Sequence, residues 1–249
     1  MKSALFKHRS IRKFRPTPIP AETLRDCLEA ATRASTCGNM QLYSLVVTRE
    51  AALRERLAPC HFNQPMVREA PCLVTVCADV HRFSMWCEQR EAEPAYDNFA
   101  WFLNASTDAL LAAQNFCIEA ELHGLGICIL GTTIYTAAEI AQILELPKGV
   151  IPLTTIVVGY PDESPALTDR LPLEAVVHYE KYTDYTAAEI DELWAEREES
   201  VETKRLLEEN GLPNLARIFT ERRYVRRDNL AISQSYFALL KEKGFFNNN

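Results

Sequence analysis

Nine residues near the start of the chain, Lys7-His-Arg-Ser-Ile-Arg-Lys-Phe-Arg15, carry six basic side chains, counting His8. An arginine offers phosphate a planar fork of donors, a serine adds a hydroxyl and a histidine a ring N–H. His8, Arg9 and Ser10 together therefore suit the binding of an anion. The plainer alternative is a solvated basic arm. Ile11 and Phe14 count against it, because apolar residues between the charges anchor a segment on a core, and an arm has no use for that alternation. A second basic cluster, Arg222-Arg-Tyr-Val-Arg-Arg227, could meet a phosphate or simply face solvent.

Several familiar chemistries are excluded by spacing. Gly124-Leu-Gly126 would need a third glycine at 129 to make a dinucleotide fingerprint, but Ile129 stands there. The pair also precedes a strand-like run, whereas the fingerprint follows one. Neither a G-x-x-x-x-G-K-[ST] loop nor an H-E-x-x-H helix nor a G-x-S-x-G elbow occurs. The five histidines lie far apart, and nothing local suggests a metal site.

The elements that would position these residues can be read from periodicity. Leu24, Cys27, Leu28 and Ala31 fall on one face of a helix spanning Pro20 to Ala34. Strands are expected at Tyr43–Thr48, Cys72–Ala78, Ile127–Leu130 and Ile151–Val158, the later ones as buried β-branched runs. Helices are expected at Glu50–Leu57, Phe99–His123 and Thr136–Leu144, the last opened by a capping box of Thr136 with Glu139. One charged helix is expected over Thr186–Asn210, and a last one over Asp228–Lys243. Helices interleaved with four strands give an α/β or α+β layered fold. The expected division is a core over 1–184 and a helical extension over 185–249 that packs on the core or on a partner subunit.

Composition sets the limits. The chain has 249 residues, 47% hydrophobic and 24% charged, with a net charge of −7. That length buries roughly 70–75% of the unfolded chain's surface without disulfides or a structural metal. The acidic balance argues against nucleic acid as a partner, and no apolar run is long enough for a membrane span. No secretory signal is legible at the start. The eight cysteines form no C-x-x-C pair and read as reduced thiols of a cytoplasmic protein.

The pattern H-R-S-x-R-x-F over His8–Phe14 resembles the opening of the FMN-dependent nitroreductase and flavin reductase family. The resemblance continues through Ala34-Ser-Thr-Cys-Gly-Asn-Met-Gln41, Ala112-Ala-Gln-Asn, Glu119-Ala-Glu-Leu-His-Gly-Leu-Gly126, Ile129-Leu-Gly-Thr132, the Gly159-Tyr-Pro161 turn and Arg170-Leu-Pro172. Arg226-Arg-Asp-Asn229 and the final helix resemble the C-terminal arm of the NADPH-preferring, oxygen-insensitive subgroup. These matches keep a consistent order over most of the chain.

The resemblance implies a three-layer α/β/α fold. Its central sheet is mostly antiparallel and flanked by helices, with the extension reaching across a homodimer. It implies FMN as cofactor, NADPH or NADH as co-substrate, and a small-molecule electron acceptor reduced by a ping-pong hydride mechanism. His8, Arg9, Ser10 and Arg170 would grip the FMN phosphate. Arg12 would sit beside the pyrimidine edge, where a cation stabilises the reduced flavin's charge. Gln64 would read the O4/N3 edge, Thr36, Cys37 and Gln41 would cover the ribityl chain and ring, and Leu130, Gly131 and Thr132 would run along the ring, with an N–H near N5. Arg12 and Gly131 are thus the candidate catalytic residues, and no metal is implied. The chain departs from the subgroup at Thr132, often a second glycine, and at Thr168, often a lysine. Still open are a dehalogenase, a flavin-destroying enzyme, a dedicated flavin reductase, a flavin-binding module without turnover, and a metal-regulated scaffold built on the cysteines.

Overall fold

The computed structural model of the chain describes residues 4–247. In chain order the elements are α1 (Ala21–Ala31), β1 (Tyr43–Thr48), α2 (Ala51–Leu57), α3 (Met66–Glu69), β2 (Cys72–Asp79), α4 (His81–Glu88), α5 (Phe99–Leu122), β3 (Gly126–Leu130), α6 (Ala137–Ile143) and β4 (Val150–Gly159). Four helices follow: α7 (Ala187–Glu199), α8 (Val201–Asn210), α9 (Leu215–Ile218) and α10 (Arg226–Glu242).

The four strands make one sheet in the order β1-β2-β4-β3, with every pair antiparallel. Every residue of β2 and β4 is buried, which is why these central strands read as continuous apolar runs. The register slips between Val76 and Cys77, where Val76 faces Thr154 and Cys77 faces Pro152. The extra residue, Leu153, shifts the alternation of β4 by one. Ile156 and Val158 on one side of the slip and Ile151 and Leu153 on the other therefore all join one cluster.

That cluster lies under α1 and α5, with Phe102, Phe116 and the paired Ala112–Ala113 filling it. A second cluster covers the other face, where Leu57, Met66, Val67 and Ile140 of the shorter helices meet Leu73, Cys128, Leu130 and Val157. Helices thus cover both faces of the sheet, the three-layer arrangement expected. Each fully buried Leu, Ile or Phe contributes roughly 1.5–3 kcal/mol from the area it removes from water. No helix among the described residues is long and apolar enough to cross a membrane.

The chain forms two compact units, Met1–Ala166 with Ile232–Asn249, and Leu167–Ala231. This differs from the division expected at 184/185. Residues 232–247 belong to the first unit because Leu239, Leu240 and Phe245 are buried in its core. Within the second unit, α7 and α8 replace the single helix expected over Thr186–Asn210. The break falls at Ser200, whose backbone is extended (ψ 149°) and whose hydroxyl accepts the Thr203 N–H at 3.1 Å. The capping box expected at Thr136 is absent, since its hydroxyl donates instead to the Cys60 carbonyl at 2.7 Å. A capping box forms at Thr186 with Glu189.

Candidate functional site

The basic segment lies along the open edge of β3. Ser10 pairs with Ile127 in a parallel bridge, the Ile11 N–H donates to the Ile127 carbonyl at 2.8 Å, and Phe14 pairs with Pro161. Ile11 and Phe14 are buried in the second cluster, so the anchoring that their alternation implied is present. Gly126 makes room for it, because a Cβ there would lie 2.6 Å from the Ile11 side chain. His8, Arg9 and Ser10 are half-buried and Arg12 is exposed. Arg9 donates from Nε to the Pro165 carbonyl at 2.8 Å and from Nη1 to the Lys7 carbonyl at 3.0 Å. Those bonds use two of its five N–H donors. His8 Nδ1 lies 2.6 Å from Glu121 Oε1. Glu163 Oε1 accepts the backbone N–H of Arg12 at 2.5 Å and of Lys13 at 3.0 Å.

Thr36, Cys37 and Gln41 come together around one buried carboxylate. Asp108, in the middle of α5, accepts the Thr36 hydroxyl at 2.5 Å, the Cys37 N–H at 3.0 Å and the Leu42 N–H at 3.2 Å. The Gln41 N–H donates to Thr36 Oγ1 at 2.8 Å. On the far side Arg82 donates to the carbonyls of Gln41 and Tyr43. The clamp holds an unfavourable backbone, with Asn39 and Gln41 at φ +55° and +53°. Among the described residues no hydrogen bond joins this loop to the His8–Arg12 segment.

Leu130 ends β3, and Gly131–Ile134 follow as a short 3-10 turn. Threonine hydroxyls pin the turn: Thr133 donates to the Leu130 carbonyl at 3.0 Å, its oxygen lies 3.1 Å from the Thr155 hydroxyl, and Thr154 reaches Leu130 at 3.3 Å. Thr132 Oγ1 lies 2.9 Å from His61 Nδ1. His61 is fully buried, its Nε2 has no partner among the described residues, and burial pushes its imidazole down to about 4. Gln64 is half-buried and its N–H donates to the His61 carbonyl at 3.1 Å, so one short segment carries both side chains. Phe62 and Asn63, at φ +54° each, make the turn between them.

Arg170 belongs to the second unit, where it is exposed and donates to the carbonyls of Asp169 at 2.8 Å and Thr168 at 3.4 Å. Of the aromatics, Phe102 is core, Trp101 packs edge-on to Tyr96, and Trp86 is exposed beside Phe83. All eight cysteines are free thiols and only Cys37 is exposed. Burial raises Cys77 and Cys117 to about 12, which leaves them poor nucleophiles.

Sequence reasoning missed Asp108, Arg82, Glu121, Glu163 and His61. Asp108 left one signal, a lone carboxylate inside the apolar stretch of α5. The other four look like ordinary surface charges or an isolated histidine until the chain is folded.

Residues 5–160 match the Nitroreductase family. The chain belongs to that family. As a nitroreductase-family chain it is 32% identical over 180 residues to the FMN reductase (NADPH) of Bacillus subtilis, covering 72% of each. A crystal structure from Bacteroides fragilis, provisionally assigned as an oxidoreductase, superposes with a TM-score of 0.96 and 49% identity, covering 98% of this chain and 99% of that one. The NADPH:FMN oxidoreductase of Vibrio harveyi, solved with NAD+, superposes at 0.78 with 25% identity and covers 98% of both chains.

Proposed function

We propose that the chain is an FMN-dependent NAD(P)H oxidoreductase that reduces nitroaromatics, quinones or flavins. The observation that carries this is the run His8-Arg9-Ser10. Three consecutive half-buried residues beside β3 present a ring nitrogen, three guanidinium N–H donors and a hydroxyl that no other described residue engages. That donor set fits a phosphate dianion, and a fixed segment loses less on binding than a mobile arm. The relatives' names, an FMN reductase (NADPH) and an NADPH:FMN oxidoreductase, point the same way.

In this reading His8, Arg9 and Ser10 hold the phosphate, with Arg170 as a second arginine. Arg12 is the cation for the pyrimidine edge, and Glu163 fixes its backbone. Gln64 reads the ring's polar edge, while Thr36, Cys37 and Gln41 form a covering loop that Asp108 and Arg82 hold in shape. Leu130, Gly131 and Thr132 supply a rigid backbone surface. When bound, FMN supplies the two-electron hydride chemistry. The protein's own part is to grip, orient and tune.

The functional unit in this reading is a cytoplasmic homodimer. Leu103, Leu110 and Leu111 of α5 are 44–51% exposed and spaced i, i+7 and i+8, which places them on one helix face. A second copy covers that strip and brings its Thr36–Gln41 loop to the phosphate segment of the first, while residues 185–231 form an arm across the partner. The test is steady-state kinetics. NADPH oxidation with a nitroaromatic or quinone acceptor is expected to give the parallel double-reciprocal lines of a ping-pong cycle. Intersecting lines, or no turnover, would contradict the reading. Arg12→Ala is expected to slow reduction by NADPH more than it lowers flavin content, and the reverse order would reassign Arg12 to binding.

A further inference from the structure

Glu121 and Glu119 sit in the last turn of α5, which carries no basic residue of its own. The carbonyl end of a helix repels carboxylates, so acids there need a compensating partner. Each has an imidazole. Glu119 lies 3.3 Å from His123, the residue that caps the helix. Glu121 reaches out of the helix to His8, 113 residues away in sequence, at 2.6 Å. The Glu121 side chain is only 17% exposed and the His8 side chain 35%. A mostly buried carboxylate is thus committed to one nitrogen of the first residue of the phosphate-binding run.

We infer that Glu121 is a positioning residue for the cofactor's phosphate. By accepting the Nδ1–H, it fixes the ring's rotation, and in the imidazolium, the form in which both ring nitrogens donate, it leaves the Nε2–H for the anion. Among the described residues Nε2 has no other partner. An imidazole held in this way reaches a phosphate without losing rotamer freedom at the moment of binding, whereas an untethered one must be ordered first. Glu163 acts on the same segment but through its backbone, where it accepts the N–H groups of Arg12 and Lys13. The two carboxylates therefore divide the work between the ring and the main chain. This inference rests on the reading of His8, Arg9 and Ser10 as the FMN phosphate site.

The discriminating ligand pair is FMN and riboflavin, which share the ring and ribityl chain but differ in the phosphate. The full-length protein, stripped of flavin, is titrated with each. Glu121→Met keeps the volume and helix preference of the side chain and removes the acceptor. Glu121→Gln keeps an acceptor at the same place. Glu121→Met is expected to weaken FMN about tenfold, the scale of one charge-assisted hydrogen bond, and to leave riboflavin unchanged. Glu121→Gln is expected to recover most of the FMN affinity. In a His8→Ala background, Glu121→Met is expected to have no further effect. A parallel loss of both flavins, or no loss of either, would overturn the inference by making the pair a tether of the N-terminal segment only. Wild-type protein that binds riboflavin and FMN equally overturns it too, while leaving a flavin enzyme in place. Wild-type protein that takes up neither flavin overturns the cofactor assignment and this inference with it.

Discussion

His61 shows what a single buried residue contributes to pH response. Its imidazole is held down to about 4 by burial, and among the described residues the ring's hydrogen-bond partner is Thr132. The unfolded chain binds this proton near 6.5 and the folded chain near 4, so the unfolded state takes up more protons between those values. Stability is therefore untouched above pH 6.5 and is lost as the pH falls from 6.5 toward 4, by up to about 3 kcal/mol. Urea unfolding at a series of pH values is expected to show that loss in the wild type and a flatter profile in His61→Gln. An identical slope in both would mean that the acid sensitivity comes from elsewhere. His61 was invisible in the sequence because nothing local distinguishes a buried histidine from a surface one. The run His8-Arg9-Ser10 stands out in the sequence because its donors are concentrated in consecutive residues, and what the fold adds is the burial of Ile11 and Phe14 that anchors it.

At the scale of elements, the strands were the easiest part to read. β1 runs over the residues expected, and the other three differ by a residue or two, since buried β-branched runs bounded by Pro, Gly or Asp leave little choice. Caps were harder. Thr136 and Glu139 have the right spacing for a capping box, yet the hydroxyl is drawn to the Cys60 carbonyl, a tertiary partner that spacing cannot reveal. The Thr36–Gln41 loop was recognised by its small polar residues, but the carboxylate that shapes it comes from α5, more than sixty residues away.

The two glycines at the start of β3, Gly124 just before it and Gly126 its first residue, separate two reasons for having no side chain. Gly124 has φ +74° with open space around it, whereas Gly126 has ordinary φ but meets Ile11. Gly124→Ala is expected to cost about 1 kcal/mol through backbone strain alone and to leave flavin affinity intact. Gly126→Ala is expected to cost about 1–3 kcal/mol by overpacking and to weaken flavin binding as well, because the shifted Ile11 carries Ser10 with it. Thermal unfolding and flavin titration of both variants check this. Equal effects on flavin binding would separate the basic segment from the cofactor.

For the molecule as a whole, the homodimer proposed above would cover the apolar strip on α5 and bring the Thr36–Gln41 loop, which among the described residues makes no hydrogen bond to the basic segment, to that segment of a second copy. Light scattering of the purified protein is expected to give twice the 28.3 kDa chain mass. Leu110→Lys together with Leu103→Lys is expected to shift it toward monomer with a parallel loss of bound flavin. A wild-type monomer that keeps its flavin would contradict the shared site.

The central claim, that the clustered cations of His8–Arg12 exist to hold a flavin by its phosphate, is met most directly by the visible absorption spectrum of purified protein supplied with excess FMN and then desalted. A yellow protein with one flavin per chain, bleached on anaerobic addition of NADPH, is expected. A protein that emerges colourless after that treatment would contradict it.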